Sequence, residues 1–148
     1  MDNEQSVRQL IEQMLTDWDN AFVQQNAQGI LGHCVPRTRQ QEEALYNGWK
    51  LFMFWIEDAT AQTTLKQFHF NGTQATVVVE QQRSFCFRRP QPSYAPLGRA
   101  LVGLASKFVI VERDIKRTEW NQTQEGWLCQ SEKKLSYLLR IRRRPPVT

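Results

Sequence analysis

Two long alternating runs facing each other across a short polar turn constrain this chain more than any other feature. Residues 108–120 (Phe-Val-Ile-Val-Glu-Arg-Asp-Ile-Lys-Arg-Thr-Glu-Trp) run one way, and residues 127–141 return. Between them lies Asn-Gln-Thr-Gln-Glu-Gly, a polar, glycine-ended connection suited to a hairpin. On the return run Trp127, Cys129, Leu135, Tyr137, Leu139 and Ile141 share one parity, while Gln130, Glu132, Lys134, Arg140 and Arg142 share the other. Period-two alternation predicts strands with one mainly buried and one mainly wet face. Such a sheet needs a cover, and the first half of the chain supplies helical patterns for it.

The first of these places Val7, Leu10, Ile11, Met14, Leu15, Trp18 and Phe22 on one helical stripe, with Ser6 and Gln9 at capping-box spacing. A short second helix is expected over 28–34, carrying Ile30 and Leu31 inward and stopped by Pro36. A third is expected over 39–57 on Leu45, Trp49, Phe52, Trp55 and Ile56. Its end, 51–56, is apolar nearly all round, which predicts burial on more than one side or a subunit contact. A strand competes for that short piece. Strands over 62–70 and 73–87 should meet across Asn71-Gly72, a strong hairpin signal. On the second, Ala75, Val77, Val79, Phe85 and Phe87 share a face interrupted by Gln81 and Arg83. Three prolines and a glycine within 88–98 argue against regular structure, so 88–106 reads as a flap or interface loop. Its apolar end, 100–106, is either a helical turn or the lead-in to the next strand.

With 148 residues, one domain is expected over 1–141, followed by a basic, disordered tail over 142–148. A hydrophobic share of 41% places the chain among ordinary globular proteins. A net charge of +4 without a dense basic footprint argues against a nucleic-acid binder. Three widely spaced cysteines, Cys34, Cys86 and Cys129, point to reduced thiols and a cytoplasmic location. The first residues lack the apolar core of a secretory signal, and no run reaches the ~18 apolar residues of a membrane helix. His33 and His69 have no further ligands at metal spacing, and no phosphate loop or hydrolase motif is present, so neither metal nor cofactor is expected.

The order of elements resembles the nuclear transport factor 2-like superfamily, and within it the polyketide cyclase (SnoaL-like) and ketosteroid isomerase-like branch. The residues carrying this likeness are Trp18-Asp-Asn-Ala21 on a long first helix, a short helix after it, and strands ending in a Trp…Gly-Trp hairpin. They fall within 7–34 and 113–132, with further support from 60–87. The resemblance implies an α+β fold: a curved antiparallel sheet wrapped around about three N-terminal helices, a cone or cystatin-like roll with a pocket at its open end. It also implies a homodimer paired through the sheet.

Catalytic members of the superfamily use an acid–base pair inside the cone, which the resemblance would assign here to Asp114 with Tyr46. Asp114 is also the carboxyl set among Val109, Val111 and Ile115, the kind of apolar neighbourhood that acid–base chemistry needs. Cross-strand ion pairing on the wet face is the competing account of its charge. Trp18, Phe22, Trp49, Phe52 and Phe68 are candidate ligand-binding rings, with Trp18, Tyr46 and Trp49 expected to turn polar edges towards a cavity. Two functions of different class fit. One is a pocket protein for a small hydrophobic or aromatic ligand, with or without isomerase, dehydratase or cyclase chemistry. The other is a non-catalytic dimeric interaction module working through 51–56, the proline-rich insert and the basic tail.

Overall fold

The computed structural model describes residues 3–31 and 38–146. Helices come first: α1 Glu4–Val23, α2 Ala27–Leu31 and α3 Arg39–Trp55. Then follow β1 Ile56–Phe70, β2 Gln74–Phe87, α4 Pro96–Ala105, β3 Phe108–Thr123 and β4 Gly126–Arg143. The strands form one antiparallel, curved, unclosed sheet in the order β1-β2-β3-β4, the expected α+β architecture.

Local chemistry sets the helix ends. Asn3 caps α1, its Oδ1 accepting from the Ser6 N–H at 2.8 Å, so the helix starts before the Ser6–Gln9 box expected to open it. The capping box lies instead on α3, between Thr38 and Gln41. Gln25, in the left-handed region at φ 57°, reverses the chain after α1. Its side-chain amide then donates to the carbonyls of Met53 and Ile56, both at 2.6 Å, fixing the α3–β1 corner. The continuation of α2 through 32–34, His33, Cys34 and the stop at Pro36 lie outside the described residues.

Four expectations are corrected. Residues 51–56 are not buried all round: Met53 and Ile56 are, whereas Leu51 and Phe54 are exposed. β1 begins at Ile56 rather than 62, because pairing with β2 starts at Ile56↔Phe87 and runs past an irregularity between Glu57 and Thr60. Along 57–64 the inward positions are only Ala and Thr, too weak a stripe to read as a strand alone. The insert contains a helix, α4, whose Pro96 stands in the first turn, where a missing N–H costs nothing. The basic tail is ordered at its start. Arg142 and Arg143 belong to β4, and the nearly buried Arg144 guanidinium binds Glu57 at 2.8 Å and Asp58 at 2.6 Å.

Both hairpins meet their glycines in the left-handed region, Gly72 at φ 101° and Gly126 at φ 107°. Asn71 holds the first turn, its side chain accepting from the N–H groups of Thr73 and Gln74.

The helices pack on the inner face of the sheet in two apolar clusters. One joins Val7 and Ile11 of α1 to Ala75, Val77, Val79, Trp120, Trp127 and Cys129. The other joins Ala21, Phe22, Ile30 and Met53 to Ile56 and Phe85. The residues between the clusters are polar, and they position the candidate site.

Candidate functional site

The strand registers assemble a row that the sequence does not announce. Thr63 of β1, Gln81 of β2, Asp114 of β3 and Tyr137 of β4 stand directly opposite one another, one per strand. They share the inner face with Val77, Val79 and Phe85, so the row crosses the cone between its two apolar clusters. The adjacent row is Ala61, Arg83, Glu112 and Leu139.

Hydrogen bonds link the row to α1. The Asp19 carboxylate accepts from the Thr63 N–H and the Thr63 hydroxyl, both at 2.6 Å. Because that hydroxyl proton goes to Asp19, its oxygen is left to accept from the Gln81 amide at 3.5 Å. The Gln81 carbonyl oxygen and Oδ1 of Asp114 are buried with no hydrogen-bond partner among the described residues. Burial raises the Asp19 pKa above its ordinary value, against the lowering effect of the Thr63 hydrogen bonds and of Arg83.

Asp114 is 3% exposed and faces the cone, which corrects the wet-face account. Its ion partner is Lys134, 3.7 Å from Oδ2; Arg113 pairs with Glu80 and Lys116 with Glu132. Beside it, Tyr137 carries a phenol whose pKa is raised, by partial burial first and then by Glu112, so it remains a proton donor at neutral pH. Arg83 bonds Glu112 at 3.2 Å and lies 5.4 Å over the Trp18 ring and 5.5 Å over the Phe22 ring. Lys116 lies over Trp18 as well, at 5.4 Å.

The remaining sequence-derived site residues fall elsewhere or serve the core. Tyr46 lines an open groove of about 790 Å³ at the helical corner, with Gln24, Lys50 and Phe54, and is not joined to Asp114. The Trp18 indole N–H donates to the Ile30 carbonyl at 3.1 Å, so its polar edge meets backbone rather than a cavity. Phe22 is 1% exposed, and Trp49 packs edge-on against Phe52, which does the same against Phe85. Phe68 packs against the α1 cluster beneath Arg8.

Sequence reasoning passed over Asp19, Thr63 and Gln81. Asp19 follows Trp18 on the stripe edge, the one local hint of a carboxyl near the core. Gln81 and Arg83 interrupt an otherwise apolar strand face, which was the legible signal for the polar row.

The inner face is incompletely covered. On β4, Tyr137, Leu139 and Ile141 share the parity of Asp114, Glu112 and Ile110, yet are 46%, 48% and 60% exposed. Three apolar or amphipathic side chains thus stand open to solvent beside the polar row. Among the described residues no group of acidic, histidine or cysteine side chains could hold a metal ion, and no helix is long and apolar enough to cross a membrane.

No family model matches the chain, and no curated protein does. Solved structures do match. A candidate aromatic ring hydroxylase from Novosphingobium aromaticivorans is 8% identical with a TM-score of 0.63, covering 97% of this chain and 96% of that one. The hexachlorocyclohexane dehydrochlorinase LinA-type3 from Novosphingobium barchaimii is 9% identical with a TM-score of 0.58, covering 91% and 90%. A candidate dehydratase of the NTF2-like (nuclear transport factor 2-like) family from Streptomyces avermitilis is 12% identical with a TM-score of 0.56, covering 88% and 95%. Element order, sheet topology and these end-to-end superpositions agree: the chain has the nuclear transport factor 2-like fold.

Proposed function

We propose that the protein binds a small, largely apolar molecule on the open inner face of β4, seated on Tyr137, Leu139 and Ile141, with Asp114 as its acid–base group. The observation that carries this reading is the row Thr63–Gln81–Asp114–Tyr137 ending at an uncovered apolar seat. A carboxylate and a protonated phenol on neighbouring strands supply a proton acceptor and a hydrogen-bond donor to one ligand group. That combination suits removal of a proton next to a carbonyl, the step shared by isomerase, dehydratase and cyclase chemistry. Dehydratase and dehydrochlorinase relatives in fold make that reaction class the natural one to test.

The test is a fluorescence titration with 2-naphthol, paired with deuterium exchange at the α-carbon of 2-tetralone. Saturable binding, weakened at least tenfold by Leu139→Arg, is expected. Exchange should be lost in Asp114→Asn. Equal binding by Leu139→Arg, or none by the parent protein, ends the pocket reading; binding without exchange restricts it to a carrier.

A non-catalytic dimeric module is the second reading. α4 favours it, since Leu97, Leu101 and Leu104 form an exposed stripe at helical spacing. Sedimentation of the parent and of Leu101→Glu decides this: a dimer converted to monomer supports it, and a parent monomer removes it.

A further inference from the structure

An open groove of about 800 Å³ crosses all four strands, lined mainly by outer-face positions. Thr60, Gln62, Gln82 and Ser84 form its polar side, with Val111 beneath and Arg140 and Arg142 along β4, and its margin reaches Ala61, Arg83 and Ile141 of the inner-face rows. Register places Thr60, Ser84, Val111 and Arg140 opposite one another across the four strands, on the face turned away from the helices.

Three properties point the same way. No acidic residue lines the groove. Arg140 and Arg142 are exposed, and neither side chain forms an ion pair or hydrogen bond among the described residues, whereas Arg83, Arg113 and Arg144 all have carboxylate partners. The neutral polar lining presents two amides, that of Gln82 already donating to Glu80 at 2.9 Å, and two hydroxyls, with Thr60 and Ser84 sharing one hydrogen bond and so leaving one hydroxyl hydrogen over.

We propose that this groove is a binding site for a small polar anion, a phosphate or carboxylate carried on a hydroxylated body. Residues two apart on a strand face are ~7 Å apart, within reach of one anionic group gripped by two long guanidinium arms. Guanidinium forks match phosphate and carboxylate oxygens bidentately, and the hydroxyl and amide side would receive the polar body. The groove's volume is that of a small-molecule site rather than of a flat contact.

Amide NMR titrations at fixed ionic strength, with inorganic phosphate, citrate and glucose as probes, test this. Phosphate or citrate should shift the amides of Ser84, Val111 and Arg140 saturably, and glucose should not; the stronger of the two identifies the anion. The double variant Arg140→Gln/Arg142→Gln should bind at least tenfold more weakly with an unchanged melting temperature, both side chains being exposed. No saturable shift, equal affinity in the double variant, or shifts spread over all basic residues overturns the proposal. A response to single-stranded oligonucleotide alone replaces it with nucleic-acid binding. A silent outer face in a protein that sediments as a dimer replaces it with a subunit contact.

Discussion

The two faces of this sheet hold carboxylates in opposite conditions. On the inner side Asp19 is half enclosed by α1 and β1, and burial lifts its pKa in spite of two hydrogen bonds. On the outer side Glu80 lies under the Arg113 and Lys66 side chains, and its pKa falls to about 2, with the Arg113 hydrogen bond the main cause and Gln82 the next. One fold thus produces both behaviours from the same residue class. Inside, helices remove water without supplying cations enough; outside, long basic side chains arch over the acid and solvate it. A tuned proton acceptor belongs on the first face, and a structural brace on the second.

The largest effect that would break this contrast comes from the cover itself. Phe22 joins α1 to Phe85 of β2, their ring centroids 6.5 Å apart. Phe22→Ala should cost about 3–5 kcal/mol in chemical unfolding, since buried aromatic truncation leaves a cavity. A loss under ~1 kcal/mol would mean the helices are not what dries the inner face.

Next comes a buried polar bond within the α1 cluster. The Thr118 hydroxyl donates to the Val77 carbonyl at 3.0 Å and accepts from the Trp120 indole N–H at 2.8 Å. Thr118→Val keeps the shape and orphans that N–H, so about 1–3 kcal/mol should be lost. An unchanged midpoint of denaturation would show that the indole finds another acceptor.

Acid titration sharpens the contrast directly. For Glu80 the folded pKa is depressed, so its stabilisation is complete above pH 4.5 and disappears as pH falls towards about 2. For Asp19 the folded pKa is raised, so its contribution is complete below its unfolded value of 3.8 and is lost as pH climbs through the higher folded value. Glu80→Gln should therefore flatten the acid limb of the stability curve, and Asp19→Asn should steepen it. Parallel changes in the two variants would refute the assignment of opposite environments.

Legibility in the sequence followed periodicity. β2 and the start of β4 were readable because Val77, Val79 and Phe85, and Trp127 and Cys129, alternate with less buried neighbours; beyond Cys129 two register shifts in the β3–β4 pair and the exposed Ser131 and Lys133 break the alternation expected of β4. α1 was readable for the analogous reason at helical spacing. The first third of β1 was not, since Ala59 and Ala61 give no contrast with their neighbours, and only pairing with β2 makes them a strand. α4 was hidden because its proline reads as a breaker until its place in the first turn is known. The Arg144 clasp was hidden because its partners, Glu57 and Asp58, lie 87 and 86 residues away. The polar row depends on register in three strand pairs at once, which no single segment encodes. Asp114 and Phe68 could be proposed from local pattern; that Asp114 faces Tyr137 rather than Tyr46 could not.

The smallest expected effect is also the most discriminating. Leu139 is on the inner face by register but half exposed, opposite Glu112 and one row from Asp114. Were it part of a sealed core, Leu139→Ala would cost about 2–5 kcal/mol. As an open seat it should cost well under ~1 kcal/mol, because most of its surface is already wet in the folded protein. The same change should weaken 2-naphthol binding severalfold, since a ligand would bury what folding leaves exposed. Stability and binding are therefore expected to separate at Leu139 and to move together at Phe22. If Leu139→Ala instead destabilises strongly, the inner face of β4 is closed in solution, and a second chain or a rearranged α4 must be its cover.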